Sequence, residues 1–301
     1  MTYHLKILCL IVSSIVFAVP LAAGERLSVF VSILPQKTFV QKIGGDRVEI
    51  GVMVRPGASP ATYEPRPRQM MALADTDIYF SIGVPFERAW LPRIAATNPE
   101  MKVVRTDKGI EKLKMAAHHH HEDEHGHKDE HAHEAHSDQH QEGLDPHIWL
   151  SPQRVKQQVE TILQALVRED PEHEAYYTDN YQRFVAEIEQ LDNDLNQLFK
   201  GKAGGQFMVF HPSWGYLADD YGLKQMPIEI EGKNPKMAQL AELIEHAREA
   251  GIRAVFAQPQ FSKESAEIIA NEIGGEVIFA DPLSEAWAAN LREVAKILEK
   301  N

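Results

Sequence analysis

Between Glu172 and Lys200 the chain contains neither glycine nor proline. Within that stretch Tyr177, Tyr181, Phe184, Ile188, Leu191, Leu195 and Leu198 recur at spacings of three and four, which is one face of an α-helix. Asp170-Pro171 supplies a start signal, with proline in the first turn, and Gly201 with Gly204-Gly205 supplies the stop. About 29 residues at 1.5 Å each give roughly 43 Å, enough to cross a small protein. A helix of this length must bridge whatever lies on its two sides, so the two sides decide the fold.

Both sides read as alternating strands and helices. Before the helix, β-branched and apolar runs at 27–33, 48–54, 78–82 and 102–105 alternate with helical patterns at 36–43, 66–74 and 86–96. After it, runs at 207–210, 225–230, 253–257 and 276–279 alternate with helical patterns at 236–249, 263–272 and 284–298. This punctuation predicts parallel sheets covered on both faces. The expected class is α/β: two lobes, each a parallel sheet flanked by helices, joined by one long linking helix. The expected domains are a signal peptide (1–24), an N-terminal lobe (25–170), the linking helix (171–200) and a C-terminal lobe (201–301).

The first residues read as an export signal. Lys6 is the positive region, residues 7–19 are apolar, and Leu21-Ala22-Ala23-Gly24 are the small residues a signal peptidase accepts. An uncleaved anchor is the competing reading, but the apolar run is short for a membrane span. The only cysteine, Cys9, lies inside the apolar run. An exported, processed chain then has no disulfide and no thiolate, so any metal ligand is His, Asp or Glu.

Formal net charge is −13, and no basic cluster is present, which argues against a nucleic-acid partner. The charge is concentrated. Residues 118–140 hold seven acidic side chains, one lysine and ten of the 15 histidines. Residues 117–143 have almost no apolar side chains and no period, so they read as a surface loop. Imidazole with carboxylate suits zinc, nickel and copper(II). An internal purification tag or a solubilising loop without ligand fits this interleaved composition less well. The match His121-Glu122-Asp123-Glu124-His125 to a zinc protease motif falls in low-complexity sequence, whereas that chemistry needs an ordered helix.

In open parallel sheets ligands bind beyond the carboxyl ends of the strands. There the sequence places Asp145-Pro146-His147-Ile148-Trp149-Leu150-Ser151-Pro152, then His211-Pro212-Ser213-Trp214, then Ala280-Asp281-Pro282. Two histidines and an aspartate at strand ends in both lobes are placed to converge on a cleft.

The first of these segments resembles the D-x-H-x-W-L-x-P signature of the zinc- and manganese-binding solute-binding proteins of ABC importers (ZnuA/TroA-like, cluster A-I). Phe210-His211-Pro212-Ser213-Trp214-Gly215-Tyr216 through Tyr221-Gly222-Leu223 is similar to the same family's F-H-x-x-[WY]-x-Y pattern. Ala280-Asp281-Pro282-Leu283 falls at its last ligand position, and Gly57 to Pro65 resembles its first ligand loop. The resemblance covers residues 25–301 and implies His147, His211 and Asp281 as metal ligands. Histidine at 211, with the histidine-rich loop, favours zinc over manganese. One departure stands out: the family's first ligand is usually a histidine two residues before the loop tyrosine, and this chain has Ala61 there. Glu64, Tyr63, a water or a loop histidine are the candidates to fill that place.

The resemblance implies a periplasmic, monomeric receptor, not an enzyme, that binds Zn²⁺ as cargo and hands it to an inner-membrane ABC permease. Its alternatives are a zinc buffer or chaperone working through the histidine-rich loop, a manganese or iron receptor of the same fold, and, last, a zinc hydrolase, for which no ordered general base is seen. Trp149 and Trp214 are expected to wall the cleft, and His173 and His246 to lie on helix surfaces.

Overall fold

The computed structural model describes residues 26–115, 143–230, 232–261 and 263–300. The expected signal segment, residues 117–142 of the expected loop and the protease-like match lie outside the described residues.

Two four-stranded sheets carry the architecture, and every strand pair in them is parallel. The first half runs β1 (Leu27–Val31), α1 (Leu34–Gly44), β2 (Val48–Val52), α2 (Pro67–Ala72), β3 (Ile78–Ser81), α3 (Pro85–Thr97) and β4 (Lys102–Arg105), in sheet order β2-β1-β3-β4. Two helices follow, α4 (Pro152–Glu169) and α5 (Glu174–Leu198). The second half runs β5 (Gln206–Val209), α6 (Gly215–Asp220), β6 (Lys224–Pro227), α7 (Met237–Glu249), β7 (Ala254–Ala257), α8 (Glu264–Ile273), β8 (Glu276–Phe279) and α9 (Trp287–Lys300), in order β6-β5-β7-β8. The fold is therefore α/β with two sheet-centred lobes. Helices α1, α2, α3 and α4 each have proline in the first turn, where the missing N–H costs nothing.

Helix α4 has no counterpart in the sequence reading. Its start is nevertheless written in the chain: Ser151 caps it by accepting from the Arg154 amide at 3.2 Å, and Pro152 opens the first turn. Val155, Val159, Ile162 and Leu166 then form its buried stripe. Helix α5 begins after a short 3₁₀ turn, Pro171–His173, and ends before Gly201, whose φ of 81° suits glycine. It is not a bare strut, because it packs on α4, on α1 from the first lobe and on α9 from the second.

The second sheet shows how the core joins the lobes. Phe207, Val209 and Phe256 point into a core continuous with the first lobe, while Met208, Val255 and Ala257 point into a separate core under α7 and α8. This is the two-residue alternation of a strand, used to bury both faces. Trp287 on α9 meets Phe39 on α1 edge-on at 5.2 Å and Phe184 on α5 at 6.4 Å, so aromatic packing fastens the second lobe to the first. Among the described residues no helix is long and apolar enough to cross a membrane.

Candidate metal centre

The carboxyl ends of both sheets open on one cavity of about 230 Å³. Ser59, Pro60 and Ala61 reach it from the loop after β2, and Gly83 to Pro85 from the end of β3. His147, His211, Gln260, Phe261, Pro282 and Leu283 complete most of the wall. In each sheet the strand order reverses between the two central strands, which leaves a crevice at the carboxyl end. His211 occupies that crevice between β5 and β7. Its amide donates to the Gln258 side chain at 3.1 Å, and its carbonyl accepts from the same side chain at 2.6 Å.

The structure brings His147 and His211 together, with ring centroids 5.2 Å apart and one ring edge-on to the other. Each ring is held the same way. Asp145 Oδ1 takes the His147 Nδ1 at 2.7 Å and the His147 amide at 2.8 Å. Glu229 Oε1 takes the His211 Nδ1 at 2.7 Å. A carboxylate only accepts, so a neutral ring puts its proton on Nδ1 and keeps the lone pair on Nε2. Neither Nε2 has a hydrogen-bond partner among the described residues. Burial lowers the pKa of His147 and outweighs the raising effect of Asp145, so the ring is neutral and ligand-competent at neutral pH.

Packing fixes the rings further. Phe261 stacks on His211 at 4.9 Å, and Trp149 lies 5.1 Å from His147. The Trp149 indole donates to the Pro282 carbonyl at 2.7 Å, while the Trp287 indole donates to the Trp149 carbonyl at 2.6 Å. Tyr216 on α6 donates to the Asp145 carbonyl at 2.7 Å and accepts from the Leu113 amide at 3.1 Å. Gly215 permits that approach, since a Cβ there would sit 2.8 Å from Asp145 Oδ2. The second lobe thus supports the His147 segment directly.

Asp281 stands beside the cavity and is not one of its wall residues, though Pro282 and Leu283 are. Its Oδ1 accepts from Gln260 Nε2 at 2.8 Å and from the Leu283 amide at 2.9 Å. Among the described residues no group of three or more His, Asp or Glu side chains is gathered as a metal cage. The surroundings are nonetheless built for a cation: Glu229 Oε2 and Gln260 Oε1 are buried acceptor oxygens without a donor among the described residues.

Ala61 lines the cavity, so the loop carrying it does face the site. Tyr63 does not fill the gap. Its hydroxyl donates to Gln69 Oε1 at 2.7 Å, and Gln69 in turn donates to the Met53 carbonyl, which makes the tyrosine a loop anchor. Glu64 is exposed and absent from the wall. Trp214 differs from expectation: it is fully buried in the core rather than walling the cavity, because the turn into α6 points its ring inward. Sequence reasoning missed Asp145, Glu229 and Gln258 as supports. Glu229 left one signal, an acid inside the apolar run Pro227-Ile228-Glu229-Ile230.

The family model "ZnuA: Zinc-uptake complex component A periplasmic" matches residues 29–301. The high-affinity zinc uptake system protein ZnuA of Bacillus subtilis (strain 168) is 29% identical over 257 residues, covering 84% of this chain and 77% of that protein. A crystal structure of ZnuA is 39% identical with a TM-score of 0.81, covering 92% of this chain and 99% of that one. A zinc-bound ZnuA deletion mutant lacking residues 138–173 of its own numbering is 39% identical with a TM-score of 0.80, covering 91% of this chain and 97% of that one.

Proposed function

The chain belongs to the ZnuA family of zinc-uptake components, whose members are metal-binding transport receptors rather than enzymes, and from that premise we propose that it is a periplasmic receptor that takes Zn²⁺ as cargo and delivers it to an ABC importer. The observation that carries this reading is the pair of imidazoles sharing one cavity, each with Nδ1 held by a carboxylate and Nε2 left bare. A carboxylate behind a ligating histidine fixes the tautomer and raises the basicity of the donor.

In this reading His147 and His211 donate imidazole nitrogen, and Asp281, which stands beside the cavity and not in its wall, turns toward the ion to donate through Oδ2, which takes no hydrogen bond among the described residues. Nitrogen donors with a single carboxylate suit zinc better than manganese, which prefers oxygen. Three donors among the described residues leave one position of a tetrahedral site to a further ligand, so in this reading the cargo is held firmly and stays releasable. The wall around it is largely apolar, with Arg88, Ser213 and Gln260 among its polar members.

A strain lacking this gene and made zinc-limited tests the proposal. Wild-type protein restores growth at low zinc, and His147→Ala and His211→Ala do not. Equal restoration by both variants would rule out the cavity as the transport site. Competition between Zn²⁺ and Mn²⁺ on the purified protein tests the metal; displacement of zinc by equimolar manganese would move the assignment to a manganese receptor.

A further inference from the structure

The cavity is too large for an ion alone. A metal-ligand distance to nitrogen or oxygen is about 2.0–2.2 Å, so a zinc bound by His147 and His211 stays close to their Nε2 atoms. The cavity of about 230 Å³ extends to Ser59, Pro60 and Ala61 on one side and to Phe261 and Leu283 on another. An apolar cavity of about 150 Å³ already accepts a benzene ring. The wall facing the imidazoles offers no further donor from the loop after β2, only the Ala61 methyl group beside Ser59 and Pro60. Ser59 Oγ is turned back to its own loop, accepting from the Ala61 amide at 3.2 Å. Such a space combines a largely apolar lining, whose polar members include Arg88, Ser213 and Gln260, with a coordination position that no described residue of the wall fills.

We infer that the cavity takes zinc together with a small external ligand of the imidazole class, free histidine being the natural size, whose ring nitrogen fills the open position beside Ala61. The inference rests on the reading that His147 and His211 hold zinc, and deepens it: the cargo is a zinc complex and not the bare ion. A neutral planar heterocycle meets both demands of the site. Its nitrogen supplies the missing donor, and its carbon edge packs on Ala61, Phe261 and Leu283 in place of several waters. A small carboxylate such as acetate supplies a donor and suits Arg88 on the wall, but it leaves the apolar lining at Ala61, Phe261 and Leu283 uncovered.

Equilibrium dialysis of the full chain with radiolabelled imidazole, with and without zinc, tests this. Wild-type protein is expected to retain about one imidazole per cavity zinc and none without the metal. The retained amount is counted as the excess over His147→Ala, which removes label held by zinc elsewhere on the chain. Ala61→His supplies the ring from the exposed loop itself and should abolish that excess while tightening zinc binding alone by tenfold or more. Labelled histidine should replace imidazole mole for mole, and labelled acetate should not. No excess in the wild type, or the same excess in Ala61→His, overturns the inference. Zinc binding that is as tight in His147→Ala and His211→Ala as in the wild type instead overturns the receptor reading beneath it.

Discussion

At the scale of single residues the metal centre is a matter of proton placement. Asp145 and Glu229 each fix a proton on Nδ1 and so present a lone pair on Nε2. Glu229→Gln offers a donor or a poorer acceptor to the His211 ring and should weaken zinc binding about 10–100-fold without unfolding the protein; unchanged affinity would remove Glu229 from the account. A second buried acid lies at the matching crevice of the first sheet. Glu87 accepts from the Ile82 and Gly83 amides at 3.0 and 2.8 Å and from the Ser32 hydroxyl, which also meets Tyr79. Burial pushes its carboxyl up to about 7 from an ordinary 4.5, against the pull of those donors. The folded state therefore holds a proton that the unfolded chain has already lost. That contribution is complete below about pH 4.5 and disappears as pH rises through about 7. The unfolding free energy of wild type relative to Glu87→Gln should fall by about 3 kcal/mol across this window, at about 1.36 kcal/mol per pKa unit. A difference that stays flat with pH, measured by urea denaturation, would contradict it.

At the scale of elements, the sequence made the strands and the long helix readable because their signals are local. The runs at 102–105 and 276–279 are the strands β4 and β8 to the residue, and the glycine- and proline-free stretch is α5 preceded by a single 3₁₀ turn. The rule that ligands gather beyond strand ends also brings His147 and His211 to one cavity, while Asp281, expected there with them, stands beside the cavity and not in its wall. Helix α4 is less legible although its cap is local, because Ser151 and Pro152, which start it, also close the proline-flanked segment Asp145 to Pro152, whose composition reads as loop. The carboxylate supports went unread for a different reason. Glu229 reaches His211 from another loop 18 residues on, a pairing with no sequence period, whereas Asp145 supports His147 from two residues away and only its own anchoring by Tyr216 of the opposite lobe is long-range. Ser151 now bears two duties, capping α4 and donating to Asp220 on α6. Ser151→Ala should cost about 1–2 kcal/mol of stability, read as a lowered denaturation midpoint at constant slope. No measurable loss would mean the cap and the contact to α6 are energetically idle.

At the scale of the whole molecule the two sheets share one core. Side chains of the first lobe, α4, α5, α9 and one face of the second sheet form a single cluster, and Trp287 stands at its junction. A large apolar junction of this kind resists independent lobe motion and independent unfolding. Calorimetry on the metal-free protein should show one main transition that includes both lobes; two well-separated transitions of similar size would contradict a shared core. Trp287→Ala, which empties that junction, should lower stability by about 3–5 kcal/mol. The same rigidity serves binding, since the imidazoles are set by partners from both lobes before cargo arrives. The most direct measurement of the central claim is therefore zinc affinity by chelator competition on the full chain, beside His147→Ala and His211→Ala. The account predicts one site in the wild type that is tighter than every other zinc on the chain and is lost in both variants. A tightest site that survives both substitutions unchanged would place zinc capture outside the cavity and contradict the account.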